Sequence, residues 1–245
     1  MGGGVGVLGV LAEVVAGVDT LGCDVRQVVS MLRWAGVVSK KQPVRPAARV
    51  VDLGCGRGEL AVAIAAAMEA EVVGVDGHAA FVRLARERAA DAGAEVAGGC
   101  RFVTGDVRTL PRLVREGSFD AAVMLNVMPC GPAVKILRRL VKPGGVYVFD
   151  DAMPLSRRGV VRVEEMEKAV AAAGDEVVEC RFMSARRLAA ARKRLETMRR
   201  RVERGGLSDG RALRAANVMV EHHEAALSLL GRELMPVVMM ARRTF

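Results

Sequence analysis

The hydrophobic pattern along the chain alternates between two kinds of segment. Short apolar runs rich in β-branched residues recur at RVVDLG (49–54), EVVGVD (71–76), CRFVTGD (100–106), FDAAVMLNV (119–127), GVYVFDD (145–151) and EVVECRFM (176–183). Runs of this kind read as buried strands of a parallel sheet. Between them lie ELAVAIAAAMEA (59–70), AAFVRLARERAADAG (79–93), AVKILRRLV (133–141) and EEMEKAVAAAG (164–174), which read as helices. Gly93 and the Lys-Pro-Gly-Gly after Val141 close two of them. A repeating strand–helix rhythm predicts an α/β fold with a doubly wound, mostly parallel sheet.

The two ends of the chain depart from the rhythm. Residues 8–38 predict one or two helices, with Leu11, Val14, Val15, Val18, Val28, Val29 and Leu32 at helical spacing, before Pro43 and Pro46 break the pattern. After residue 183 come an Arg-rich helix (185–204) and a second helix (208–230), with Ser208 as its N-cap and Gly231 as its stop. The last run, LMPVVMMARR (234–243), brings the strands to seven. It predicts an edge strand, because Pro236 has no amide hydrogen for a central one. The chain reads as a single domain over 1–245: an N-terminal helical cap (1–45), a core (46–183), a helical insert (184–232) and a final strand (233–245).

Composition narrows the class. With 245 residues, 51% of them apolar, the chain can bury a proper core and is not of disordered type. Aromatics make up only 3%, so that core is built from aliphatic side chains and Met. The five cysteines, at 23, 55, 100, 130 and 180, are odd in number and no two share the two-residue spacing of a zinc or redox motif. A reducing cytosol is the simpler reading. The apolar N-terminus has no basic stretch before it and contains Glu13, unlike a signal peptide, and Gly6 stands where a myristoylation pattern needs Ser or Thr. No apolar run reaches membrane-span length. A cytoplasmic protein with no membrane partner is expected.

Charge is unevenly placed. The net charge is +9, with 18 basic and 15 acidic residues over 1–150 and 19 basic and 13 acidic over 151–245. From Arg181 to Arg204 there are ten basic and two acidic residues. Such a helix can face nucleic acid, or can simply lay Arg stems over apolar surface in water. Scarce aromatics leave little for base stacking. Glu221-His222-His223-Glu224 puts adjacent histidines on different helix faces, which is not metal-ligand spacing.

The strongest chemical signal is Val50-Val51-Asp52-Leu53-Gly54-Cys55-Gly56-Arg57-Gly58 between the first core strand and its helix. Glycines let the backbone turn tightly and approach a ligand at a helix N-terminus. A dinucleotide fingerprint needs glycine at 54, 56 and 59, and position 59 is Glu, which argues against NAD. Asp76 ends the second strand, 24 residues after Asp52, where a carboxylate can accept from ribose hydroxyls. Asp106 ends the third. Carboxylates at the carboxyl ends of successive strands sit where open α/β sheets bind ligands.

VVDLGCGRG, VVGVD, VTGDV, FDAAVMLNV and LVKPGGVYVFDD, in that order over residues 49–151, resemble the class I S-adenosylmethionine-dependent methyltransferases, a Rossmann-like family. The resemblance implies S-adenosyl-L-methionine as cofactor and a role for each matching residue. Gly54, Gly56 and Gly58 would line its methionine part, with Cys55 in the same loop. Asp52 would orient its amino group, and Asp76, with Gly77 beside it, would hold the ribose. Asp106 and Val107 would contact the adenine, and Asn126 would face the transferable methyl. Asp150 and Asp151, after the fifth strand, are with Asn126 the candidate catalytic residues, shaping the acceptor pocket or taking a proton. Catechol-type metal-dependent members show Asp, then Asp-Asn; here the order is Asn, then Asp-Asp, so no metal is expected. Pro129-Cys130 resembles the nucleophile of 5-methylcytosine enzymes, but its surroundings differ. The expected activity is methyl transfer to an O, N or C atom of a small molecule. The alternatives are transfer to RNA through the Arg-rich insert, or a non-catalytic module that binds the cofactor or RNA.

Overall fold

The computed structural model describes residues 24–37, 47–110, 114–156, 159–204 and 210–245. The expected helix before residue 24 and the Ser208 cap lie outside them. In chain order the elements are α1 (Val25–Trp34), β1 (Arg49–Leu53), α2 (Glu59–Met68), β2 (Glu71–Asp76), α3 (Ala79–Asp91), α4 (Ala94–Gly99), β3 (Cys100–Thr104) and β4 (Phe119–Met124). They continue with α5 (Cys130–Leu140), β5 (Val141–Pro154), α6 (Glu164–Ala172), β6 (Glu176–Phe182), α7 (Ala185–Arg204), α8 (Gly210–Leu229) and β7 (Leu234–Arg242).

The strands form one seven-stranded sheet in the order β3-β2-β1-β4-β5-β7-β6. The order reverses between β1 and β4, which is the switch point where such sheets open a crevice at their carboxyl ends. Register places the strand ends level there: Leu53 pairs with Val75 and Met124, and Met124 with Phe149. Alternation sorts the apolar side chains onto two faces. Val50, Val72, Ala121, Val123 and Val148 pack under α1, α2 and α3. Val51, Leu53, Val75, Met124 and Phe149 pack under α5 and α6. Burial on both faces is why these strands carry continuous apolar runs.

One expectation is corrected. β7 is not an edge strand: it runs antiparallel between β5 and β6, and the edges are β3 and β6. The proline is tolerated because of where it falls. A residue's N–H and C=O point to the same neighbour in a strand, and the Pro236 carbonyl accepts from Met183 N–H at 3.0 Å, one residue beyond Phe182, the last paired residue of β6. The missing amide therefore faces the end of the ladder.

α7 and α8 form a helical hairpin inserted between β6 and β7, with a small core of its own. Ala191, Leu195, Met198 and Val202 pack there against Ala216, Val220 and Leu227. β6 runs parallel to β5, so the hairpin leaves the sheet at the carboxyl end. An ion pair from Arg187 to Asp24, the N-cap of α1, ties its base to the body at 2.6 Å.

Candidate functional site

The segment from β1 to α2 turns by three left-handed glycines. Gly54 and Cys55 donate their amides to the Val75 carbonyl at 2.7 and 3.0 Å, folding the chain over the end of β2. Gly54 has φ +76°, and a Cβ there would stand 2.2 Å from Val127 Cγ2. Gly58 has the same φ, and its Cβ would press on Ala85 and the Phe102 ring. Gly56, at φ +53°, has no atom within 4 Å of where its Cβ would be. The loop is thus packed tightly at both ends and open in the middle, which is the shape of a cradle.

Two carboxylates stand around that cradle. Asp76 Oδ2 accepts the Gly56 amide at 2.9 Å and its Oδ1 the His78 amide at 2.8 Å, so it joins the glycine loop to the start of α3. Asp52 is buried, and its Oδ2 has no hydrogen-bond partner. Burial, with Asp76 and Glu59 nearby, pushes its carboxyl up to about 7, against the lowering pull of the Ala61 amide. A buried acceptor without a donor is costly in a finished structure. A cation placed there would satisfy it, so the residues fit the ammonium of a bound amino acid moiety.

Burial also pushes the Cys55 thiol up. Gly77 has open space around its Cβ position. Asp106 is exposed, and its Oδ1 accepts the Arg108 amide at 2.8 Å, holding the turn after β3. Val107 packs half-buried against the α5–α6 side of the core. The chain after β4 leaves the strand at Met124, earlier than the apolar run suggests, and Asn126 is exposed at φ +57°. Its amide donates to Asp150 Oδ1 at 2.7 Å. Asp150 is buried and pushed up to about 7, chiefly by burial. Asp151 Oδ2 accepts the Cys130 amide at 2.8 Å.

The structure therefore joins the glycine loop to Asp76, sets Asp52 where the charge of Asp76 acts on it, and joins Asn126 separately to Asp150. Val127 bridges the two groups through its contact at Gly54. Cys130 is buried, and burial together with Asp151 raises its thiol, the opposite of what a thiolate nucleophile needs. The side chains of His222 and His223 are outside the described residues. Among the described residues no group of three or more His, Cys, Asp and Glu is placed to hold a metal ion. None of the described helices is long and apolar enough to cross a membrane.

One feature of the cradle is invisible in the sequence. Glu59 Oε1 accepts from Arg57 Nη2 at 2.6 Å and from Arg88 Nη2 at 3.0 Å, while Arg88 Nε donates to the Arg57 carbonyl at 3.1 Å. This cluster ties the glycine loop to α3 at the position where a dinucleotide fold has its third glycine. Its long-range member, Arg88, lies 29 residues from Glu59.

Comparison with known proteins bears on the family and the fold. Residues 50–145 match the family model for a methyltransferase domain. Over 111 residues the chain is 39% identical to trans-aconitate 2-methyltransferase of Deinococcus radiodurans, covering 42% of this chain and 38% of that protein. It is 29% identical over 121 residues to demethylmenaquinone methyltransferase of Staphylococcus aureus, covering 47% of each. The chain thus spans less than half the length of these curated relatives. A SAM-dependent methyltransferase from Thiobacillus denitrificans, solved with S-adenosyl-L-homocysteine, superposes with a TM-score of 0.70 at 17% identity over 96% of this chain and 97% of that one. That likeness is one of fold. Residues 50–145 are thus matched to a methyltransferase domain.

Proposed function

We propose that this chain binds S-adenosyl-L-methionine at the carboxyl ends of its central strands and transfers the methyl group to an O, N or C atom of a small molecule. The observation that carries the reading is Asp52: a buried carboxylate with a partnerless oxygen at the end of β1, the strand that leads into the open glycine loop. It would hold the cofactor's ammonium. Gly54, Cys55, Gly56 and Gly58 would line the methionine part, and Asp76, with Gly77, would face the ribose. Asp106 and Val107 would meet the adenine, and Asn126 the methyl.

The cofactor supplies an activated methyl on a sulfonium that leaves as a neutral thioether. The protein's share is to hold the acceptor in line at near-attack distance and to exclude water. No nucleophile on the chain is required. Asn126, Asp150 and Asp151 would bound the acceptor pocket. Asp150, with its carboxyl near 7, is the group best matched to taking a proton where the acceptor carries one. A small acceptor is supported by the relative named for trans-aconitate, itself a small molecule. The free thiols of Cys55, Cys100, Cys130 and Cys180 support a reducing, cytoplasmic setting.

A second reading, transfer to RNA, is favoured by one observation. Arg186, Lys193 and Arg204 are exposed on α7, away from the α7–α8 core. Calorimetry with S-adenosylhomocysteine tests the cofactor half of the proposal. The expected result is saturable binding of about micromolar affinity. The absence of heat and of any thermal shift would refute it.

A further inference from the structure

We infer that Asp150 and Asp151 are two clasps that fix the opposite ends of the loop between β4 and α5, and so act as positioning residues for the segment that carries Asn126 and Val127. Adjacent residues of a strand point to opposite faces, and these two use that divergence. Asp150 reaches the Asn126 amide at one end of the loop, at 2.7 Å. Asp151 reaches the Cys130 amide at the other, at 2.8 Å, and also accepts the Ala152 amide at 2.8 Å.

Each end needs a holder. Asn126 sits at φ +57°, a left-handed turn that asparagine accepts more readily than other non-glycine residues and that takes the chain out of β4. At the other end, Cys130 is the first residue of α5, an eleven-residue helix whose N-cap position is Pro129 with no side-chain cap bond. The first amides of a helix have no partner within it and attract negative charge. Asp151 supplies from β5 the cap that Pro129 cannot. Between the clasps lies Val127, whose Cγ2 fills the space a Cβ at Gly54 would need. Fixing the loop therefore fixes one wall of the glycine cradle. The clasp geometry stands by itself; its bearing on methyl transfer rests on the proposed function.

The test uses paired variants of the full chain without cofactor: Asp151→Ala against Asp151→Asn, and Asp150→Ala against Asp150→Asn. Both members of a pair lose the charge, but Asn keeps an oxygen that can accept the amide, so the difference isolates the tether. Alkylation of Cys130 by iodoacetamide, followed by peptide mass spectrometry, reads the Asp151 end. Hydrogen exchange at the Asn126 amide reads the Asp150 end. In each pair the Ala variant should react about two- to tenfold faster than the Asn variant, the scale of one lost neutral hydrogen bond. Equal rates within each pair would overturn the inference. If an Ala variant does not fold, the wild type still decides. Its Asn126 and Cys130 amides should exchange at least about tenfold more slowly than those of Val127 and Met128 between them, and uniform exchange across the loop would overturn the inference. Because no cofactor enters these measurements, a failure to bind S-adenosylhomocysteine counts against the proposed function and leaves the clasps standing.

Discussion

Asp52 makes the cofactor reading sensitive to pH in a way that can be worked out beforehand. Its carboxyl is raised from an ordinary 3.8 to about 7, so between pH 4 and 7 the folded protein holds a proton there that the unfolded chain has lost. The sign follows: this residue's cost to stability appears as pH rises through that window, and is of order 4 kcal/mol above it. A ligand ammonium at Oδ2 favours the ionised form. Binding below pH 7 must therefore release a proton, and affinity should climb with pH until Asp52 is already ionised. With a midpoint near 7, the ionised fraction rises from roughly a tenth at pH 6 to nine-tenths at pH 8. Affinity for S-adenosylhomocysteine should rise roughly tenfold over that range. Calorimetry at pH 6, 7 and 8, in two buffers of different ionisation enthalpy, measures both the affinity and the proton. Asp52→Asn should flatten the slope, weaken binding at pH 8 by about 10- to 100-fold through loss of a charged acceptor, and raise the melting temperature of the free protein at pH 8. Asp150 also sits near 7, and the Asn variant tells the two apart. A pH slope that survives in Asp52→Asn, or a wild type with constant affinity, would refute the assignment.

Other substitutions follow from the same geometry. Asp76→Ala should weaken S-adenosylhomocysteine binding at least about tenfold, if it holds the ribose as proposed, and also lower the melting temperature, because the same carboxylate holds the Gly56 and His78 amides; calorimetry and a thermal melt on one sample read both, and unaltered affinity would remove Asp76 from the site. Gly54→Ala should abolish cofactor binding and destabilise the fold by several kcal/mol, since its Cβ would lie 2.2 Å from Val127 Cγ2 at φ +76°; adding Val127→Ala should recover part of the stability, and a Gly54→Ala protein with native melting and affinity would contradict the packing. If α7 binds RNA, the cations to remove are Arg186, Lys193 and Arg204 rather than Arg199, which is paired with Glu224 at 2.8 Å. The small-molecule reading predicts no filter retention of RNA at low salt; retention that falls steeply with salt and is lost in the triple Ala variant would favour RNA.

The sheet, the glycine loop and its carboxylates were legible because local pattern and chemistry coincide there. An apolar run followed by Gly or Asp announces both a strand and the end at which a ligand sits, and Asp52, Asp76 and Asp106 fall at such points. What was not legible depends on partners distant in sequence. Arg88 joins Glu59 only once α3 has folded beside α2. The contacts of Asp150 and Asp151 with the loop after β4 exist only because β5 lies next to β4, so the sequence marks the two carboxylates but not the amides they hold. Pro236 misled in the opposite direction. Its lost amide is a local fact, but its cost depends on where β6 ends. The Arg-rich run correctly announced a helix after β6, while the small core it shares with α8 required the pairing of Leu195 and Met198 with Val220 and Leu227.

The central claim, methyl transfer from S-adenosylmethionine to a small molecule, is tested most directly by following a labelled methyl group. The purified chain would be incubated with methyl-labelled cofactor and, in parallel, with a fractionated metabolite extract and with total RNA. The account predicts label in a low-molecular-weight product, dependent on the chain and reduced about 10- to 100-fold in Asp52→Asn at pH 8 with micromolar cofactor. Label in RNA alone, or cofactor bound with no label moved to any acceptor, would contradict it.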